Sequence, residues 1–116
     1  MEGGTSAVVI VEGKRDRERL LPLLRSDVIV LCTFGIPSPE RLAYLVDEVP
    51  SDVTVFLFTD NDHAGKRIRG ILRDEFPDAI HLHTKIEYGG VETTPLDYLE
   101  ALLLRHELHV GSSASM

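Results

Sequence analysis

The sequence predicts an α/β fold, a parallel sheet covered on both faces by helices. Two observations carry that reading. Three short runs, "AVVIV" (7–11), "VIVLC" (28–32) and "VTVFLF" (53–58), are apolar or β-branched with almost no interruption. That is how strands buried on both faces read, and it distinguishes them from half-exposed antiparallel strands. Between and after these runs come segments with apolar residues at helical spacing, so strand and helix alternate along the chain.

Taken in order, the first strand over 7–11 leads into a helix that Asp16 is placed to cap, with Pro22 expected to kink it. The second strand, 28–32, is followed by a helix over 39–49. There Ser38 reads as the N-cap and Pro39 as the first helical residue, with Leu42, Leu45, Val46 and Val49 on one stripe. The third strand, 53–58, leads to a helix over 64–76 whose stripe is Ala64, Ile68, Ile71, Leu72 and Phe76, with Pro77 as a stop. "AIHLH" (79–83) alternates and reads as a fourth strand at the sheet edge. The last helix opens on "TPLD", with Thr94 as cap, Pro95 in the first turn, and Leu96, Leu99 and Leu103 facing inward. The segments 1–6 and 110–116 read as small, polar, mobile tails around one domain over 7–109.

The totals bound the function. A chain of 116 residues holds one core, and 43% hydrophobic with 27% charged residues is a globular composition. No apolar run approaches the ~20 residues of a membrane-spanning helix, and "MEGGTSA" lacks the pattern of a secretory signal. The single cysteine, Cys32, excludes an intramolecular disulfide and a multi-cysteine metal site. It reads as a buried strand thiol in a protein of the reducing cytoplasm. A net charge of −7 argues against coating nucleic acid by bulk attraction. Any polyanion must be held locally, through a metal.

The chemistry concentrates in "VFLFTDNDHAGKRIR" (55–69), where the third strand runs into Asp60 and Asp62. Open α/β sheets bind ligands beyond the carboxyl ends of their strands, and Glu12 ends the first strand. If those strands are neighbours, ~4.8 Å apart, three carboxylates share a small volume. Their mutual repulsion is unfavourable unless a cation sits among them. A donor set made only of hard oxygen suits Mg²⁺ or Mn²⁺ rather than zinc. His63 reads as a surface or capping residue beside the helix start. The aspartates alone also fit a turn and an N-cap.

The setting of Glu12 adds to them. In "VEGKRD", Gly13 permits a tight turn from strand to helix, and Lys14 follows. Nine of the twelve Lys and Arg residues follow the two acidic motifs. Arg17, Arg19, Arg69 and Arg73 read as cations on outer helix faces. Lys14, Lys66 and Arg67 fall in first turns, where a cation opposes the helix dipole, and that local cost points to a use.

"VVIVEGKRD" and "VFLFTDNDHAGKRI" together resemble the Toprim module shared by topoisomerases, primases, nucleases and recombination-repair proteins. The match takes in Glu12-Gly13 after strand one, Gly35 after strand two, and Asp60-x-Asp62 with Ala64-Gly65 after strand three, over roughly 7–83. Within the family, "VEGKRD" and "GGVETTP" are most similar to the Toprim domain of the bacterial ribonuclease that matures 5S ribosomal RNA. The resemblance implies a Rossmann-like three-layer α/β/α sandwich with a four-stranded parallel sheet, strand one central and beside strand three. It implies Glu12 as general acid or base and metal ligand, and Asp60 and Asp62 as ligands of Mg²⁺, with Mn²⁺ as substitute. Gly13, Lys14, Gly35, Gly65, Lys66 and Arg67 then hold the phosphates of RNA or DNA. The roles of His63 and Glu92 stay open.

Two departures from larger relatives are expected. Tyr44, Tyr88 and Tyr98 offer no topoisomerase-like nucleophile, and the chain is expected to have no room for RNA-gripping or strand-gating domains. Haloacid-dehalogenase phosphatases carry Asp-x-Asp after strand one, and phosphoreceivers carry an acidic pair there; neither pattern fits. Two functions remain: a nuclease, or a non-catalytic subunit holding metal and phosphates for a partner protein. Leu102 and Leu104, surplus to one apolar face of the last helix, suggest a homodimer.

Overall fold

A computed structural model of the protein describes residues 4–112. Its elements are β1 (Ala7–Val11), α1 (Lys14–Leu20), a 3-10 turn (Leu21–Leu23), β2 (Val28–Cys32), α2 (Pro39–Glu48) and β3 (Thr54–Leu57). There follow α3 (His63–Glu75), β4 (Ile80–His81), a second 3-10 turn (Ile86–Tyr88) and α4 (Leu96–Arg105). The four strands form one parallel sheet in the order β2-β1-β3-β4.

β1 lies in the middle, and every residue of it is buried. Its continuous apolar run follows from that position, because each face of the strand meets a different helix layer. Val8 and Ile10 pack with Leu45 of α2 and with Ile68 and Leu72 of α3. Val9 and Val11 pack on the other side with Leu20 of α1 and with Leu99 and Leu103 of α4. Each such side chain contributes about 1.5–3 kcal/mol by leaving water. The register sets Ile10 beside Leu31 and Leu57, so β3 ends one residue short of β1.

Several local expectations are corrected. Asp16 is not the N-cap of α1; Gly13 is, and Asp16 at the third helical position reaches back to it. Pro22 kinks nothing, because α1 stops at Leu20 and the proline opens a 3-10 turn, where a missing N–H costs little. Thr94 does not cap α4: its hydroxyl donates to the Gly90 carbonyl at 2.6 Å, and Pro95 is the N-cap. Leu96 is 51% exposed rather than inward, while Leu102 is buried, so only Leu104 of the two surplus leucines reaches the surface. Ala64 is exposed and Gly65 takes the buried place beside it. Ser38 and Pro39 do start α2, with Ser38 Oγ accepting from the Arg41 N–H at 3.0 Å.

The expected tails lie partly outside the described residues. Within them, Ser6 N donates to Asp27 O at 2.8 Å and Val110 N to Leu23 O at 2.7 Å. No described helix is long and apolar enough to cross a membrane.

Candidate metal centre

The site begins where the two central strands stop. Phe58 N donates to Ile10 O at 2.9 Å, extending the pairing of β1 and β3 one step toward the site. Beyond that step, Asp60 N donates to Glu12 Oε2 at 2.7 Å. Glu12 and Asp60 are thus tied directly, as the adjacency of their strands requires.

Each of the other acids is also fixed by a backbone N–H. Asp60 Oδ1 accepts from Val91 N at 3.3 Å. Asp62 Oδ1 accepts from Gly65 N at 2.6 Å as the N-cap of α3. The turn-and-cap reading of Asp62 therefore holds and accounts for one of its two oxygens. Asp16 Oδ2 accepts from Gly13 N at 3.1 Å, one half of a capping box, since Gly13 has no side chain to make the other half.

Around these groups lies an open cleft of about 630 Å³, lined by Glu12, Asp16, Asp60, Asp62, Gly90 and Glu92. Gly13 and Gly35 also line it. Two glycines make the close packing possible. A Cβ on Gly65 would overlap the Asp60 carbonyl and stand 2.9 Å from Glu12 Oε2. A Cβ on Gly90 would overlap the Asp60 carboxylate. At Gly65 the obstacle is backbone and cannot yield, whereas at Gly90 it is a side chain that would have to move.

The electrostatics follow from crowding. Burial pushes the Glu12 carboxyl above its ordinary value; the Asp60 N–H opposes this, and Asp60, Asp62 and Asp16 add to it. Asp60 is raised by burial first, against the Val91 N–H, with Asp62 and Glu92 adding repulsion. Asp16 is raised by burial and then by Asp60. Three carboxyls thus ionise reluctantly side by side.

Among the described residues, no three Asp, Glu, His or Cys side chains converge closely enough to hold an ion between them. Each acid has one oxygen committed to a backbone N–H, which leaves the other available. The donor set still fits a hydrated hard cation. Mg²⁺ keeps several waters and takes one or two carboxylates together with substrate phosphate, without an all-protein cage.

The cations divide into two groups. Arg69 is not on an outer face: it is buried, with its guanidinium donating to the carbonyls of Leu57, Thr59 and Leu82 at 2.9–3.0 Å. It clamps the ends of β3 and the following strand segment beneath the site. Arg19 likewise donates to Glu92 O at 2.6 Å and Thr94 O at 2.5 Å, and Arg15 pairs with Glu92 at 3.2 Å. These contacts hold the 90–94 loop against α1. Lys14, Lys66 and Arg67 are exposed and do not line the cleft. His63 is exposed on the first turn of α3.

Asp16, Gly90 and the Val91 N–H went unrecognised as parts of the site. The first was legible in principle, since an acid three residues after the N-cap is capping-box spacing. Cys32 is buried as expected, and burial raises its thiol pKa, with Arg17 and Arg41 opposing.

Comparison with known proteins agrees with this architecture. No protein-family profile matches the chain. It is 38% identical over 103 residues to the uncharacterized protein YusF of Bacillus subtilis, spanning 89% of this chain and 70% of that protein. It is 33% identical over 67 residues to ribonuclease M5 of Mycoplasma mycoides and 40% identical over 62 residues to that of Mycoplasma pneumoniae. The matches cover 58% and 53% of this chain but only 38% and 34% of those ribonucleases. A solved small TOPRIM domain protein from Bacillus stearothermophilus superposes with a TM-score of 0.80 at 36% identity, covering 90% of this chain and 87% of that one.

Proposed function

Because the chain belongs to the TOPRIM family, we propose that its acidic cleft holds Mg²⁺, with Mn²⁺ as a substitute, and cleaves phosphodiester bonds of RNA or DNA. The observation that carries the proposal is geometric: Glu12, Asp60 and Asp62 line one cleft just beyond the ends of β1 and β3, with Asp60 N donating to Glu12 Oε2 at 2.7 Å. Burial raises Glu12 and Asp60 in that cleft, as is common at working sites. The ribonuclease M5 relatives support the class of substrate.

Asp60 and Asp62 would hold the cation through the oxygens not used by Val91 and Gly65. When bound, a divalent cation polarises the phosphoryl oxygens and offsets charge on the leaving oxygen. Glu12 is the proton carrier: one oxygen is oriented by Asp60 N, leaving the other to accept from or donate to the reacting hydroxyl or water. Gly65 serves by lacking a side chain, and the N–H groups of Gly13 and Gly65 are taken by Asp16 and Asp62. Gly35 lets the phosphate backbone approach the cleft. Lys14, Lys66 and Arg67 lie outside it and would hold the flanking phosphates.

The test is cleavage of labelled RNA and DNA by the purified protein with Mg²⁺ and with Mn²⁺. Cleavage lost in Glu12→Gln supports the reading. Cleavage equal in wild type and Glu12→Gln overturns it, and metal-dependent binding without cleavage would assign the chain to a subunit that holds nucleic acid for a partner.

A further inference from the structure

Beside the acidic cleft, along the edge strand β2, lies a second depression of about 270 Å³ with the opposite character. Its polar lining is Lys14, Arg17 and Arg41, its aromatic lining Phe34 and Tyr44, and no acid lines it. In a chain with 19 acids against 12 Lys and Arg, that separation of charge selects for an anion.

The aromatics are arranged, not scattered. The Arg41 guanidinium sits 4.6 Å from the Phe34 ring centroid and 4.5 Å from that of Tyr44. It is held there by donating to Cys32 O through Nε at 2.9 Å and a terminal nitrogen at 2.6 Å. Phe34 is nonetheless 63% exposed and Tyr44 43%, so burial does not explain why these positions are aromatic.

Phe34 also has φ +57, a left-handed conformation uncommon for a bulky side chain. Strain of this kind persists where the surroundings impose it, and here Phe34 N donates to Glu12 O at 2.7 Å. The bond fixes an exposed ring to the same strand end that carries the acidic site. Phe34 lines both depressions.

We infer that Phe34, Arg41 and Tyr44 form a stacking platform for unpaired bases of a single-stranded polynucleotide, whose phosphates run along Lys14 and Arg17 into the acidic cleft. Open aromatic faces beside a cationic track are what sequence-tolerant single-strand binding uses. A duplex, whose bases stack on one another, cannot use the rings. The inference deepens the proposed function, and rests on it only for the claim that the strand ends at the cleft.

The experiment is fluorescence anisotropy with labelled oligo-dT and oligo-rU of about 12 nucleotides, within the span of one small stacking site, and with a duplex of matched length. It is run at low salt without divalent metal. The wild type should prefer the single strands. Phe34→Gly should weaken single-strand binding about 5- to 150-fold, the range for losing one base–aromatic stack, and leave duplex binding unchanged. Tyr44→Leu should act in the same direction, and Phe34→Tyr should retain wild-type binding. Arg17→Ala should flatten the salt dependence by about 0.7 in log–log slope, one phosphate contact on a single strand. Phe34→Gly suits the test because glycine accepts the positive φ, so its melting temperature should not fall.

Wild-type affinity in Phe34→Gly, no single-strand binding by the wild type, or a preference for duplex would each overturn the inference. Ring-dependent binding that persists in Asp60→Asn/Asp62→Asn protein supports the platform even where no cleavage occurs. Cleavage of single strands with unchanged KM in Phe34→Gly would overturn the platform and leave the proposed function standing.

Discussion

Asp60 N donates to Glu12 Oε2 at 2.7 Å, so a side chain at the end of β1 is oriented by the backbone at the end of β3. A carboxylate on a flexible loop would sample many positions. Here the parallel register of β1 and β3 sets its place, and the rigid sheet edge supplies the preorganisation that a reacting group needs.

For Glu12→Gln, turnover in the proposed cleavage should fall by ~10²–10⁴, the usual contribution of a proton-transfer group, while nucleic-acid binding persists. Single-turnover rates compared with Glu18→Gln, an exposed neighbour on α1, check it. Equal small losses in both variants would remove Glu12 from the chemistry.

The raised carboxyls also predict a pH dependence of stability. Glu12, Asp16 and Asp60 hold protons more tightly in the folded chain than when unfolded. Their contribution to stability is therefore fully present below the ordinary carboxylate values and is lost as pH rises through the raised ones. Asp60→Asn should raise the melting temperature of the metal-free protein by a few degrees at neutral pH, and the gain should shrink toward pH ~4. Calorimetry in chelator checks it; a variant that melts lower at neutral pH would contradict the repulsion.

Gly65→Ala should destabilise by about 1–3 kcal/mol in urea unfolding, as overpacking against backbone does, because its Cβ meets the Asp60 carbonyl. Gly90→Ala meets the Asp60 carboxylate instead, a group that can move. It should cost less stability and weaken the response to metal. Gly70, whose Cβ would meet no atom nearer than 4.0 Å, is the control: Gly70→Ala in α3 should stabilise by about 0.5–1 kcal/mol.

Arg69→Leu should cost about 3 kcal/mol, since it leaves the Leu57, Thr59 and Leu82 carbonyls without their charged donor. Urea unfolding measures it. A change within ~0.5 kcal/mol, ordinary for a surface substitution, would mean that the clamp is dispensable.

The sheet and its acids were legible because they depend on local pattern. The apolar run of β1 requires cover on both faces, and the match of Glu12 with Asp60 and Asp62 follows from which strands are adjacent. Arg69 was not legible. It directly follows the core residue Ile68, and only its long side chain carries the charge back under the sheet to carbonyls that no helical pattern reveals. Asp16 carries a cap signature that serves position three as readily as the cap itself. Thr94 and Pro95 look like a helix start in sequence, but the Thr94 hydroxyl is claimed by the Gly90 carbonyl across the turn. Asp16 and Thr94 are decided by bonds within four residues, Arg69 by bonds to three backbone carbonyls far from it in sequence.

Binding of Mn²⁺ followed by electron paramagnetic resonance, with Mg²⁺ as competitor, tests the central claim most directly. The wild type should bind Mn²⁺ that Mg²⁺ displaces, and Asp60→Asn/Asp62→Asn should lose that binding while remaining folded. Equal binding by wild type and double variant, or none by either, would contradict a metal centre at the ends of β1 and β3.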